Sequence, residues 1–138
     1  MPITGGCLCG HLRYQGDGPP RWIVHCHCRI CQRHSGAEFL TYVGFAIDDL
    51  EWAGEGPAVY ESSPGVERGF CPRCGSTVSF ARPPRGEISV FAGTLDDPDG
   101  IAPTGHAFYD HHFAWMEIDD GLPRYARHPP GNEDRDLG

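Results

Sequence analysis

The chain of 138 residues contains no lysine and only 2 methionines, and its apolar residues never form a long run. The missing lysine matters because nucleic-acid phosphates are gripped by clustered Lys and Arg, and a formal net charge of −8 offers no such footprint. A membrane-spanning helix needs about 20 consecutive apolar residues, so no membrane partner is expected. The opening "MPITGGCLCG" has neither the basic start nor the apolar stretch of a secretory signal. The expected location is the cytoplasm, where thiols stay reduced and disulfides are disfavoured. Long helices are excluded too, because 19 Gly and 13 Pro punctuate the chain throughout.

The length suits one domain, small enough for a bound metal to matter to its stability. Residues 1–126 are expected to form it. Beyond Tyr125 the sequence "ARHPPGNEDRDLG" carries prolines and charges but one large apolar residue, so 127–138 is expected to be a disordered tail. Charge is unevenly placed: residues 1–85 set eight Arg against eight acids, and residues 86–138 set three Arg against eleven. Arg13, Arg21, Arg29, Arg33, Arg68 and Arg73 lie near the cysteines in sequence. They can make a local site for a small anion, or each can be a solvated surface side chain.

Short β-type segments recur between turn signals: "HLRYQ" (11–15), "EFLTYVGF" (38–45), "STVSF" (76–80), "EISVFAG" (87–93) and "FAWMEI" (113–118). The single helix expected is short, about 29–36, following Cys28 and stopped by Gly36. The Pro-rich "ARPPRGE" at 81–87 reads as a connection between strands. The fold class is therefore mostly β, with one short helix.

Seven cysteines fit a disulfide framework poorly, since one thiol is stranded. They fall into CxC at Cys7 and Cys9, CxCxxC at Cys26, Cys28 and Cys31, and CxxC at Cys71 and Cys74. In "FCPRCGS", Pro72 suits the first central position of a tight turn, and Gly75 the positive φ that aims backbone amides at the sulfurs. Such a knuckle supplies two ligands. Cys7 and Cys9, spaced i and i+2, share one face if the chain there is extended. Together Cys7, Cys9, Cys71 and Cys74 make a closed tetrahedral site, structural in kind. A structural zinc in a small domain contributes on the order of 10 kcal/mol to folding.

That leaves Cys26, Cys28 and Cys31, within "HCHCRICQRHSG". Cys28 and Cys31 are i, i+3 neighbours on the first helical turn, and the free N–H groups there favour thiolate. Three ligands with an open fourth position are the form of a catalytic zinc. A histidine can instead close the site. In an extended run His25 and His27 point away from Cys26 and Cys28, whereas His34, at i+3 from Cys31, is within helical reach. The remaining histidines, including His111 and His112, are expected to cap, pack or face solvent.

Laid out in this way, the chain resembles the glutathione-dependent formaldehyde-activating enzyme family, whose domain also occurs in centromere protein V. The matching stretches are "GGCLCGHLRY", "HCHCRICQRHSGAEF", "GF" leading into "CPRCGSTVSF", "VFAGTLDDP" and "HHFAWMEIDDGLPRY", from about residue 5 to 125. The resemblance implies a zinc-binding β-tent fold of small antiparallel sheets. It also implies two zinc ions per chain: a structural one on Cys7, Cys9, Cys71 and Cys74, and a catalytic one on Cys26, Cys28 and Cys31. The partition from spacing is the same. The implied reaction is condensation of glutathione with formaldehyde to S-(hydroxymethyl)glutathione, a carbon–sulfur lyase activity in reverse.

The expected partners are thus a small thiol, glutathione or another, and a small aldehyde. Three anionic ligands weaken a metal as a Lewis acid, which favours activation of the thiol over polarisation of the carbonyl. His34 or His27 is the expected proton acceptor. The rival reading, from a different class, is a non-catalytic zinc-stabilised module that binds or chaperones a protein partner on the same scaffold. Nothing in the sequence specifies an oligomeric state.

Overall fold

The computed structural model describes residues 2–131. Ten strands and one helix follow in the order β1 (Ile3–Gly6), β2 (Arg13–Gly16), β3 (Trp22–Cys26), α1 (Arg29–Ser35), β4 (Leu40–Ala46), β5 (Leu50–Trp52), β6 (Ala58–Ser63), β7 (Val66–Phe70), β8 (Thr77–Arg82), β9 (Glu87–Phe91) and β10 (His106–Ala107). A three-stranded sheet has the order β1-β2-β5, and a seven-stranded sheet the order β10-β3-β4-β9-β8-β7-β6. All ladders are antiparallel except β10 on β3, so the small sheet is antiparallel, the large one mixed, and the class is mostly β with one helix, as expected.

Local chemistry fixes the connections. Pro64 and Gly65 occupy the β6–β7 turn, where Gly65 takes φ +76°, a value that favours glycine. Pro83–Arg85 forms a 3₁₀ turn joining β8 to β9, the connection read from "ARPPRGE". Helix α1 opens on Cys28, whose sulfur accepts from the Cys31 N–H, and ends where the Gly36 N–H meets the Gln32 carbonyl at 2.7 Å. At seven residues it is too short to be stable alone, so its hold comes from packing.

Register sorts the large sheet into two faces. Cross-strand partners share a face, and the pairs Val24↔Tyr42, Cys26↔Leu40, Trp22↔Gly44, Gly44↔Ser89, Tyr42↔Phe91, Phe80↔Ser89 and Arg68↔Phe80 place all these residues on one side. That side holds a core of Cys26, Cys28, Cys31, Tyr42, Val66, Phe80 and Phe91. The other side carries Val43, Phe45, Ile88 and Val90, packed with Tyr14 and Leu50 of the small sheet. A third core joins Cys7, Leu12, Cys71 and Val78.

One expected strand is absent. Residues 113–116 form a turn and 117–118 are irregular, with the Met116 N–H on the Phe113 carbonyl at 2.9 Å and the Phe113 and Trp115 rings stacked at 5.2 Å. The free edge of β10 is taken by 123–127. His106 donates to Pro123, Tyr125 to His106, and Phe108 to Arg127 through backbone amides. Of the stretch 127–138, Arg127 is thus engaged with the fold, and 132–138 lies outside the described residues. Among the described residues no helix is long and apolar enough to cross a membrane.

Candidate metal centres and the adjoining cavity

The seven sulfurs gather into two groups, Cys7, Cys9, Cys71, Cys74 and Cys26, Cys28, Cys31, each with all sulfurs within 4.8 Å of one another. Zinc–sulfur bonds of about 2.3 Å in a tetrahedron set sulfurs about 3.8 Å apart, which is the standard the donor sets must meet. In the first group Cys7 Sγ lies 3.6 Å from Cys9 Sγ, and Cys9 Sγ lies 3.8 Å from Cys71 Sγ. In the second, Cys31 Sγ lies 3.1 Å from Cys28 Sγ and 3.5 Å from Cys26 Sγ. The first set meets that spacing; the second is an all-sulfur set of the same thiophilic kind whose sulfurs sit closer together and would spread to hold an ion.

The four-cysteine group is built from two turns. Cys7 and Cys9 do not sit on a strand: β1 ends at Gly6, and the Gly10 N–H closes a turn on the Cys7 carbonyl at 3.2 Å. A strand there would have to bend back within four residues to reach β2, so a turn gathers the pair instead. The Cys71–Ser76 turn matches the knuckle reading, with Gly75 at φ +78° and its N–H on the Cys71 carbonyl at 2.8 Å. Backbone N–H groups of Leu12, Arg73 and Cys74 point at Cys7 and Cys71 sulfurs. Hydrogen bonds from Ser76 bring the Cys74 thiol down to about 5.

The three-cysteine group is far drier: Cys26, Cys28 and Cys31 are all buried, Cys31 completely. Hydrogen bonds from the Cys26 and Cys31 thiols bring Cys28 down to about 3 against the opposing effect of burial, helped by the Cys31 N–H and the Arg68 charge. Burial pushes Cys26 up, as do its two thiol neighbours. Without a cation the trio therefore resists ionising all three sulfurs together. A divalent ion is the species that lets all three ionise together, because like charges in a low-dielectric site repel strongly.

Two further residues complete this environment and were not singled out as site residues from sequence. The buried Tyr42 hydroxyl lies 2.9 Å from Cys31 Sγ. Buried Arg68 sets its guanidinium 5.0 Å from the Phe80 ring centroid and donates from Nε to Ser62 Oγ at 3.0 Å, so it is not a surface arginine. The only sequence signal for Tyr42 is its place two residues along β4 from Leu40, on the face that β3 pairing gives to Cys26. A cavity opens on the same face, lined by Trp22, Cys26, Tyr42, Phe80 and Arg82 among others.

The histidines separate as the extended reading of "HCHC" requires. His25 and His27 lie on the opposite face, where His25 Nδ1 meets Thr41 Oγ1 at 2.7 Å and His27 Nε2 meets His106 Nδ1 at 2.9 Å. His34 is not among the ligand atoms of the three-cysteine group. Its ring packs 6.2 Å from Phe91, its Nε2 is buried without a hydrogen-bond partner among the described residues, and burial with the Arg68 charge holds it down at about 4. His112 stacks on Tyr109 at 3.9 Å, in keeping with a packing role.

A family model described as glutathione-dependent formaldehyde-activating enzyme matches residues 2–111. A crystal structure of a Rhodobacter sphaeroides protein from a structural genomics programme superimposes with a TM-score of 0.57 at 20% identity, covering 88% of this chain and 99% of its own. At that identity the likeness concerns the fold. Among curated proteins none matches the sequence.

Proposed function

The chain belongs to the glutathione-dependent formaldehyde-activating enzyme family, and we propose that it joins a thiol, glutathione or a similar one, to formaldehyde or another small aldehyde at Cys26, Cys28 and Cys31. The observation that carries this reading is the buried trio of sulfurs, joined by no fourth protein ligand among the described residues, beside a cavity that Cys26 lines. Cys7, Cys9, Cys71 and Cys74, a closed set, hold a structural zinc in this scheme. When bound by the trio, a second zinc supplies a position at which an incoming thiol ionises near neutral pH.

The chain's own residues account for the rest. Tyr42 holds Cys31 in place through its hydroxyl and limits how much charge that sulfur offers. Trp22 and Phe80 give the cavity apolar walls that exclude bulk water. Arg82 also lines it, and its Nη1 is buried without a hydrogen-bond partner among the described residues, which suits a carboxylate on the thiol substrate. In the reaction the thiol loses its proton, sulfur bonds to the carbonyl carbon, and the carbonyl oxygen ends as a hydroxyl. One proton leaves and one is gained, so no redox partner is needed.

The test is adduct formation between formaldehyde and a panel of thiols, followed by NMR above the spontaneous rate. Cys31→Ser is expected to reduce the rate to background while the four-cysteine site keeps its zinc. A wild-type protein that accelerates no thiol in the panel sinks the enzymatic reading and leaves the protein-binding module.

A further inference from the structure

On the face of the large sheet opposite Cys26, side chains from three separate segments converge without any part in the cysteine chemistry. His25 lies on β3, His106 is its direct partner across the parallel β3–β10 ladder, and Asp120 comes from the irregular segment beyond. One ligand atom from each lies within 4.8 Å of the other two. We propose that His25, His106 and Asp120 form a third metal site, free of sulfur, for a divalent first-row transition ion.

Each ligand is oriented by a second partner, the arrangement metal-binding imidazoles and carboxylates use to fix which atom faces the ion. Thr41 Oγ1 engages His25 Nδ1 at 2.7 Å, which leaves Nε2 for coordination. His27 Nε2 engages His106 Nδ1 at 2.9 Å, and His106 Nε2 points at Asp120 Oδ2, 2.8 Å away. Asp120 Oδ1 accepts from the Leu122 N–H at 3.0 Å and lies 3.8 Å from Arg124 Nη2, so only Oδ2 remains for the ion. An ion pair of His106 with Asp120 explains one of these contacts. It does not account for His25, brought to the same point from the neighbouring strand and held there through Nδ1.

Proton bookkeeping closes without a change in charge. An ion on His106 Nε2 requires the hydrogen on Nδ1, which then donates to His27 Nε2, and His27 carries its own hydrogen on Nδ1. Two imidazoles and one carboxylate suit Zn²⁺, Co²⁺ or Ni²⁺ better than Mg²⁺ or Ca²⁺, which prefer all-oxygen shells. His106 is fully buried and the Asp120 side chain is 27% exposed, so water can reach the ion from one side and complete its shell.

The test uses the purified protein with its cysteine sites zinc-loaded, dialysed against Co²⁺. The expected result is about one further equivalent per chain, bound without sulfur-to-cobalt charge-transfer absorption because the donors are nitrogen and oxygen. Asp120→Asn and His25→Gln are each expected to weaken that equivalent at least about tenfold while leaving the zinc content unchanged. The wild-type titration needs no variant to fold. The proposal is overturned by the absence of an extra equivalent, by one that develops thiolate charge transfer, or by one that survives both substitutions. None of these readouts depends on thiol–aldehyde turnover, so it stands or falls apart from the proposed activity.

Discussion

Tyr42→Phe isolates one atom of the three-cysteine site. The ring is packed edge-on against Phe80 at 5.4 Å and Phe91 at 5.1 Å, so phenylalanine keeps every apolar contact and removes only the hydroxyl 2.9 Å from Cys31 Sγ. A hydrogen bond to a charged group is worth about 1.5–3 kcal/mol. Independently, removal of a partner that orients a metal ligand weakens metal binding about 10–100-fold, or about 1.4–2.8 kcal/mol. The two ranges agree, so zinc in this site should be lost to a competing chelator at about one to two orders of magnitude lower chelator strength. Competition with a chromogenic chelator measures it, because the four-cysteine zinc serves as an internal reference. Circular dichroism and the denaturant midpoint check that the fold is retained. A chelator curve that moves by less than about twofold refutes the assignment of Tyr42 to the metal environment.

Gly44→Ala tests the cavity wall: a Cβ there would sit 1.8 Å from Trp22 Cε2, displacing a ring whose Nε1 donates to Ser89 Oγ at 2.9 Å. A loss of about 2–4 kcal/mol in denaturant stability is expected from overpacking and the broken bond, with altered tryptophan fluorescence. Cys74→Ser should remove one zinc and much of the roughly 10 kcal/mol a structural ion contributes, seen as a collapsed thermal transition; an unchanged transition means that the four-cysteine site is not structural. His34 is depressed from 6.5 to about 4, so the unfolded chain takes up its proton first on acidification. Its contribution to stability is complete above 6.5 and is lost as pH falls toward 4. The difference in denaturant midpoint between the wild type and His34→Phe should therefore shift against the wild type across that window, and a pH-independent difference would contradict the buried neutral ring.

The cysteines were legible in the sequence because their chemistry is local. The knuckle at Cys71–Ser76, the i, i+3 pair at Cys28 and Cys31, and the short helix stopped by Gly36 are fixed by neighbouring residues, and the structure places them as read. The alternation of "HCHC" likewise separated the histidines from the sulfurs, since successive side chains of an extended run must oppose. What strand periodicity cannot give is the identity of the partner strand. Tyr42 joins Cys31, and Trp22 finds room over Gly44, only because β3 pairs with β4 in one register. His27 meets His106 across 79 residues, and that contact exists only through the parallel β10. The run at 113–118 has the composition of a strand, yet residues 123–127, and not these, take the edge of β10. The sequence alone determined the cysteine clusters and the short turns and helix that carry them, which are local; the tertiary structure decided which side chains meet on each face, because long-range pairing is set by the competition of all strands for a few edges.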